Sequence, residues 1–181
     1  MVPVEIDNTQ LILVRGSVAD QEVDAIVDAA NTSMRGGGGI DGVIHRLAGP
    51  GLLRELTVVA PHGSVTTEVV VTHGHNLPQP FVFHVAGPRW LGGNHAEAKE
   101  LAGCYRNCLI EADQRTLTSI AFCSISTGVY RYPIEMAAQI AVQTTADYLR
   151  GNLGTILLRI VFAMYGAGEY DCFELALRNL S

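Results

Sequence analysis

The chain lacks the run of roughly 18–20 consecutive apolar residues that a membrane-spanning helix needs. Its N-terminus also lacks the basic-then-apolar pattern of a secretory signal. Four cysteines are present, Cys104, Cys108, Cys123 and Cys172, but they form neither a CxxC motif nor a zinc-ligand spacing. Cys104 and Cys108 lie four apart in a helical stretch, where packing accounts for them, and free thiols suit a reducing compartment. An excess of positive charge is missing too. Lys and Arg number 12 against 18 Asp and Glu, a net charge of −6, so general nucleic-acid binding is not expected. Any phosphate-bearing ligand has to be held locally, by backbone N–H groups, against the overall field. No repeat, low-complexity tract or linker divides the chain. These absences leave a single cytoplasmic domain over residues 1–181 as the expectation, with no membrane association.

Hydrophobic residues make up 48% and charged residues 17% of the 181, enough apolar material for a substantial core. Runs rich in β-branched residues predict strands at Gln10–Arg15, Ala25–Ala29, Glu68–His73, Phe81–Val85, Ser119–Cys123 and Thr155–Phe162. Helical spacing predicts helices at Ile40–Ala48, Gly51–Val58, His95–Asp113 and Ile134–Leu149, with a last one near Tyr170–Asn179. Asn94 is placed to cap the third helix, and Pro133 precedes the fourth, where its missing N–H costs little. Strands alternating with helices imply an α/β fold with a mostly parallel sheet covered on both faces. Ligands of such sheets gather beyond the carboxyl ends of the strands, which directs attention to the loops after Ala29, Val85, Cys123 and Phe162.

The first of these loops contains Gly36, Gly37, Gly38 and Gly39 in succession. Four glycines cost backbone entropy, and they lead into a helix whose free N–H groups favour an anion. A flexible surface loop is the plainer alternative. The Walker pattern fails, because no Gly-Lys-Ser/Thr follows. Gly37-Gly38-Gly39-Ile40-Asp41-Gly42 formally matches GxGxxG, but the acidic residue a dinucleotide fold needs at the end of the next strand is absent: that strand ends in Thr72-His73. A second loop, Ser124-Ile125-Ser126-Thr127-Gly128-Val129-Tyr130-Arg131-Tyr132-Pro133, also joins a strand to a helix. Two such loops at neighbouring strand ends suit a diphosphate.

Taken in order, these motifs resemble the macrodomain family, specifically its MacroD-type branch of ADP-ribose-binding proteins and mono-ADP-ribosyl hydrolases. The likeness spans nearly the whole chain. It is carried by Val23-Asp24-Ala25-Ile26-Val27, Ala29-Ala30-Asn31, the glycine run with Asp41, His45-Arg46 with Ala48-Gly49-Pro50, His84-Val85-Ala86-Gly87-Pro88, and Ile125 to Tyr130 closing on Tyr132-Pro133. The resemblance implies a three-layer α/β/α domain with a mixed, mostly parallel central sheet. It further implies that Asn31 hydrogen-bonds the distal ribose and that Asp41 orients or activates a water near C1. The amides of Gly37, Gly38 and Gly39, leading into Ile40, and those of Ser126, Thr127, Gly128 and Val129 would cradle the diphosphate, with Tyr130 closing over the ribose. A carboxylate stabilises the positive charge that develops as the anomeric bond breaks. Asp41 at a helix N-terminus is also what the helix dipole favours, worth about 0.3–1 kcal/mol. His45, one turn along, either faces the site or packs within the domain, and packing is favoured.

Several ligand-side positions depart from the family pattern. The first strand leads into Gly16-Ser17-Val18, so the charged acceptor usual at position 17 for the adenine amino group is a hydroxyl here, with Asp20 close in sequence. Asp28 stands where the family has an asparagine, and two carboxylates, Asp28 and Asp41, are candidates for one pocket. Arg131 replaces a customary glycine. The last strand runs into Tyr165 rather than an aromatic-acidic pair, and Tyr165 is available to stack on a base. His73, His75 and His84 invite a metal-site reading, but the sequence offers them neither a clear carboxylate partner nor another spaced ligand. No cofactor or metal is expected. The partner is ADP-ribose or a related nucleotide, with ADP-ribosylated proteins as further partners. Three functions stay open: hydrolysis of an ADP-ribosyl linkage on protein or on a small acylated or phosphorylated ADP-ribose, reading of ADP-ribose without turnover, and action on another nucleotide.

Overall fold

Seven strands form one sheet in the computed structural model, which describes residues 3–180. They are β1 (Val4–Ile6), β2 (Thr9–Arg15), β3 (Ala25–Ala30), β4 (Val69–His73), β5 (Phe81–Ala86), β6 (Ser119–Phe122) and β7 (Arg159–Met164). The order across the sheet is β1-β2-β7-β6-β3-β5-β4. The five inner strands run parallel, and only the edge strands β1 and β4 are antiparallel to their neighbours. Five helices cover it: α1 (Gly39–Ala48), α2 (Pro50–Val59), α3 (Glu97–Gln114), α4 (Ile134–Gly151) and α5 (Ala167–Arg178). No described helix is long and apolar enough to cross a membrane.

The sheet is buried on both faces, so its central strands are apolar at nearly every position rather than at alternate ones. Successive side chains of β3 show the division. Ile26 packs with Ile44, Leu52 and Leu56 of α1 and α2, whereas Val27 points into the opposite cluster with Leu101, Tyr105, Ala141 and Phe173 of α3, α4 and α5. That second cluster includes a line of rings, Tyr105, Phe122, Phe162 and Phe173, with neighbouring centroids 5.1, 6.0 and 5.4 Å apart. Cys104 and Cys108 are buried in it, as packing residues. The result is the α/β/α layering with a mixed, mostly parallel sheet.

Beyond shifts of one to three residues at element ends, the structure differs from the sequence expectation at three places. β1 is a three-residue strand too short to give a periodic signal. The last parallel strand starts at Arg159, not Thr155. The preceding segment folds back, with the Thr155 hydroxyl donating to Asp113 Oδ1 at 2.7 Å and pairing with β6 beginning only at Arg159. Asn94 does not cap α3. Ala96, at φ 64°, is the capping position, and Glu97 instead reaches back to accept from the N–H groups of Leu91, Gly93 and His95. Pro133 does precede α4 as its N-cap residue.

Because β2, β7, β6, β3 and β5 are parallel, their carboxyl ends lie along one edge of the domain. The loops that begin at Gly16, Asn31, Gly87, Cys123 and Tyr165 therefore converge there.

Candidate functional site

These loops enclose a cleft of about 1080 Å³. Its lining includes Asn31, Gly37, Gly38, Gly39, Ile40 and Asp41 from the segment between β3 and α1, and Ser126, Thr127, Gly128, Val129 and Tyr130 from the segment between β6 and α4. Ser17 and Val18 after β2, and Tyr165 after β7, complete it. Residues that are far apart in sequence are thus brought to one concavity.

The glycine run has two separate causes. Gly36 and Gly39 have φ of +84° and +61°, a region that side chains other than glycine rarely adopt. Gly37 is small because of its neighbours: a Cβ there would lie 3.0 Å from Asp41 Oδ2 and 3.1 Å from Asn31 Nδ2. The two side chains therefore both close on the bare backbone of Gly37. Asn31 is held by its own loop, donating to the Gly36 carbonyl at 3.1 Å and accepting from the Ser33 N–H at 3.0 Å. Arg35 fixes the start of this loop from outside, donating to the carbonyls of Ala60 and Pro61 at the end of α2. Asp41 is in the first turn of α1 and only 3% exposed, so a buried carboxylate sits where the helix dipole favours it.

The second loop is strained. Ser126 takes φ 68°, which costs about 1–2 kcal/mol for a residue with a Cβ. Its carbonyl accepts from Tyr132 N–H at 3.0 Å, and its buried hydroxyl has no hydrogen-bond partner. Thr127 donates to Ser124 Oγ at 2.8 Å and lies 3.2 Å from Glu169 Oε1, which ties the loop to the start of α5. Val129 and Tyr165 are 89% and 82% exposed on the walls of the cleft. Large apolar groups left in water beside a concavity are typical of a ligand-binding wall.

The model of the family described as Macro domain matches residues 27–141. The chain belongs to the Macro domain family. A macro domain-containing protein of Chlorobaculum tepidum is 44% identical over 94% of this chain and 97% of its own length. An O-acetyl-ADP-ribose deacetylase of Salmonella typhimurium is 45% identical over 78% of this chain and 80% of its own. The Oceanobacillus iheyensis macrodomain, solved with ADP, superposes with a TM-score of 0.92 at 37% identity, covering 99% of this chain and 95% of that one. A mutant of that protein has been solved with ADPR.

One expected ligand contact of this macrodomain is not on the cleft. Asp28 is fully buried and does not line it. β3 and β5 pair in parallel with Asp28 opposite His84, and Asp28 Oδ2 lies 2.8 Å from His84 Nδ1. The side chain therefore points into the layer between sheet and α1 rather than at a ligand. His45 also stays behind the cleft, with Nε2 3.2 Å from Asp41 Oδ1. The three histidines weighed as a metal site are split: His73 and His75 both engage Glu55 at the surface, at 2.9 and 2.7 Å, while His84 is in the core.

Arg46, Arg89 and Glu169, to which the sequence assigned no site role, also line the macrodomain cleft. Arg89 follows the His84-to-Pro88 motif, and its guanidinium lies 4.7 Å from the centre of the Tyr130 ring, a cation–π contact joining two loops. Position just beyond a buried strand was the available signal. Asp20, noted only as close to Ser17, shares the lining with it. The Ser17 hydroxyl is already used in accepting from Ala19 N–H at 3.2 Å. Arg131, by contrast, is solvent-exposed and not part of the wall.

Proposed function

We propose that this macrodomain binds ADP-ribose in the cleft and hydrolyses an ADP-ribosyl linkage, on a protein side chain or on a small acylated or phosphorylated ADP-ribose. The observation that carries the reading is the placing of Asp41 and Asn31 together beside Gly37 on the cleft wall, between two backbone loops suited to a diphosphate. The start of α1 and the strained turn at Ser126 supply N–H groups for the phosphates. Arg46 and Arg89 add local positive charge that the chain as a whole lacks. The base lies toward Ser17, Val18 and Asp20, with Tyr165 available to stack, and the distal ribose toward Asn31 and Asp41. There the carboxylate orients a water. On a group linked through C1, the water's oxygen joins C1 as the bond from C1 to the leaving group breaks, the carboxylate offsets the positive charge developing at the sugar, and a water proton goes to the leaving group; on an acyl ester the water adds to the acyl carbon, the bond from that carbon to the ribose oxygen breaks, and the proton goes to that oxygen. The deacetylase name of the Salmonella relative favours turnover over simple reading.

Calorimetric titration with ADP-ribose, followed by mass spectrometry of O-acetyl-ADP-ribose and of a mono-ADP-ribosylated protein, tests this. Asp41→Ala should lower turnover by about 10²–10⁴-fold while retaining ADP-ribose binding. Binding by the native protein without product would make it a reader module, and preference for a nucleotide other than an adenine one would point to Ser17 and Asp20.

A further inference from the structure

Behind the cleft, four ionisable side chains meet in the layer between the sheet and α1. Asp28 comes from β3, His84 from β5, and Asp41 and His45 from α1. Asp28 Oδ2 is 2.8 Å from His84 Nδ1, and His84 Nε2 is 2.9 Å from the hydroxyl of Thr72 on β4. Asp41 Oδ1 is 3.2 Å from His45 Nε2, at an angle that is not that of a hydrogen bond. Asp28 Oδ1 and Asp41 Oδ1 are both closed off from solvent without a hydrogen-bond partner. Ligand atoms of Asp28, His84 and His45 lie within 4.8 Å of one another and His45 lies 3.2 Å from Asp41, which brings the two carboxyl groups close enough to act on each other. From the end of β6 the facing group is the Cys123 thiol, which burial pushes up to about 12 and so keeps neutral.

Two ionised carboxylates in such a place repel each other strongly, because little water screens them. A single proton between them removes that repulsion and gives both orphaned oxygens a partner. We propose that Asp28 and Asp41 hold one proton between them, Asp28 donating and Asp41 accepting, and that Asp28 is thereby the positioning residue that keeps the Asp41 carboxylate aimed at the cleft. The inference rests on the hydrolase reading for its consequence in turnover, but not for the existence of the pair.

The surroundings agree with this division of roles. Burial raises the Asp28 carboxyl above its ordinary range, against the pull of His84, and the nearby Asp41 pushes it the same way. The contact with Asp41 raises His45, despite burial, with the charges of Asp41 and Asp28 adding to it, so His45 is placed to balance the remaining negative charge. A divalent cation was the other candidate, since Asp28, His45 and His84 offer ligand atoms within 4.8 Å of one another. His84, however, has both nitrogens engaged, with Asp28 and with Thr72, and offers no free lone pair while those bonds stand.

An asparagine reproduces the hydrogen bonds of a protonated aspartate, its amide donating to Asp41 and its carbonyl accepting from His84, with no proton to lose. Native turnover of O-acetyl-ADP-ribose should therefore fall on the alkaline side as the shared proton is lost and Asp41 is pushed away. Asp28→Asn should keep most of the neutral-pH turnover and lose that alkaline fall. Asp28→Ala, which frees Asp41 to move, should lose on the order of 10²-fold. Independently of turnover, the infrared difference spectrum between native protein and Asp28→Asn should show a protonated carboxyl in the native protein at neutral pH. Identical pH profiles in the two proteins, absence of the protonated carboxyl, or a stoichiometric divalent cation in the native protein by elemental analysis would each overturn the proposal. If no variant turns over substrate but the infrared band is present, the hydrolase reading fails and the shared proton stands.

Discussion

Asp24 and Asp28 are four residues apart on the approach to and along β3, and their surroundings treat them in opposite ways. Asp24 lies at the amino end of the strand. Burial works against its charge, but one carboxylate oxygen accepts from the N–H and hydroxyl of both Thr118 and Ser119, all at 2.9 Å, and its carboxyl is held below the ordinary value of 3.8. Asp28 lies nearer the carboxyl end, in full burial, with His84 as its one strong partner, and burial pushes it upward. The number of donors offered to the anion, rather than depth alone, decides the direction. The difference also separates tasks. Asp24 fastens the start of β3 to β6, while Asp28 pairs with His84 behind the cleft.

The comparison would break most visibly with Asp24→Ala. Leaving the Thr118 and Ser119 donors without their anion should cost about 1–2 kcal/mol, after allowing for partial solvent screening, read as a lower thermal midpoint with ADP-ribose affinity unchanged. A parallel loss of affinity would show that the two ends of β3 are not independent. A smaller effect is expected from Ser119→Ala, about 1 kcal/mol at neutral pH, since one donor of several is removed. Because Asp24 is depressed in the folded protein, its contribution is present above 3.8 and lost as pH falls through the lowered folded value. Ser119→Ala moves that folded value back up, so acid unfolding should set in at a higher pH. The smallest change, and the one opposite in sign, belongs to Asp28→Asn. From 3.8 upward the unfolded chain ionises freely while the folded one resists, so the native Asp28 withdraws stability as pH rises through its raised value. The variant's thermal midpoint should therefore gain on the native protein between acid and neutral pH. A midpoint that falls instead would mean that the anion of Asp28 is stabilising after all.

Much of the layering was legible because apolar runs and turn chemistry agree along the chain. The run at Ala25–Ala29 reads as a strand and proves to be β3, one residue longer, and Gly49-Pro50 lies at the junction of α1 and α2, with Gly49 at φ 77° and Pro50 opening α2. The cleft itself was legible through glycines that have no purpose in a helix or strand. What could not be read was the orientation of Asp28. Its partner is 56 residues away, and the contact depends on a register that sets Asp28 against His84. A polar residue interrupting each of two buried strands was the only trace of it. Nor could it be read that α3 has no side-chain cap from Asn94, while Glu97 turns back to gather three N–H groups of the preceding loop.

Trp90 is the only tryptophan in the chain. Its backbone N–H donates to the Tyr130 carbonyl at 2.9 Å, and its ring lies 4.8 Å from that of Tyr132, so it is joined to the closing end of the segment that walls the cleft. Nature has thus supplied one fluorophore at one address, and changes in indole emission on filling the cleft report on the second loop without any label being added.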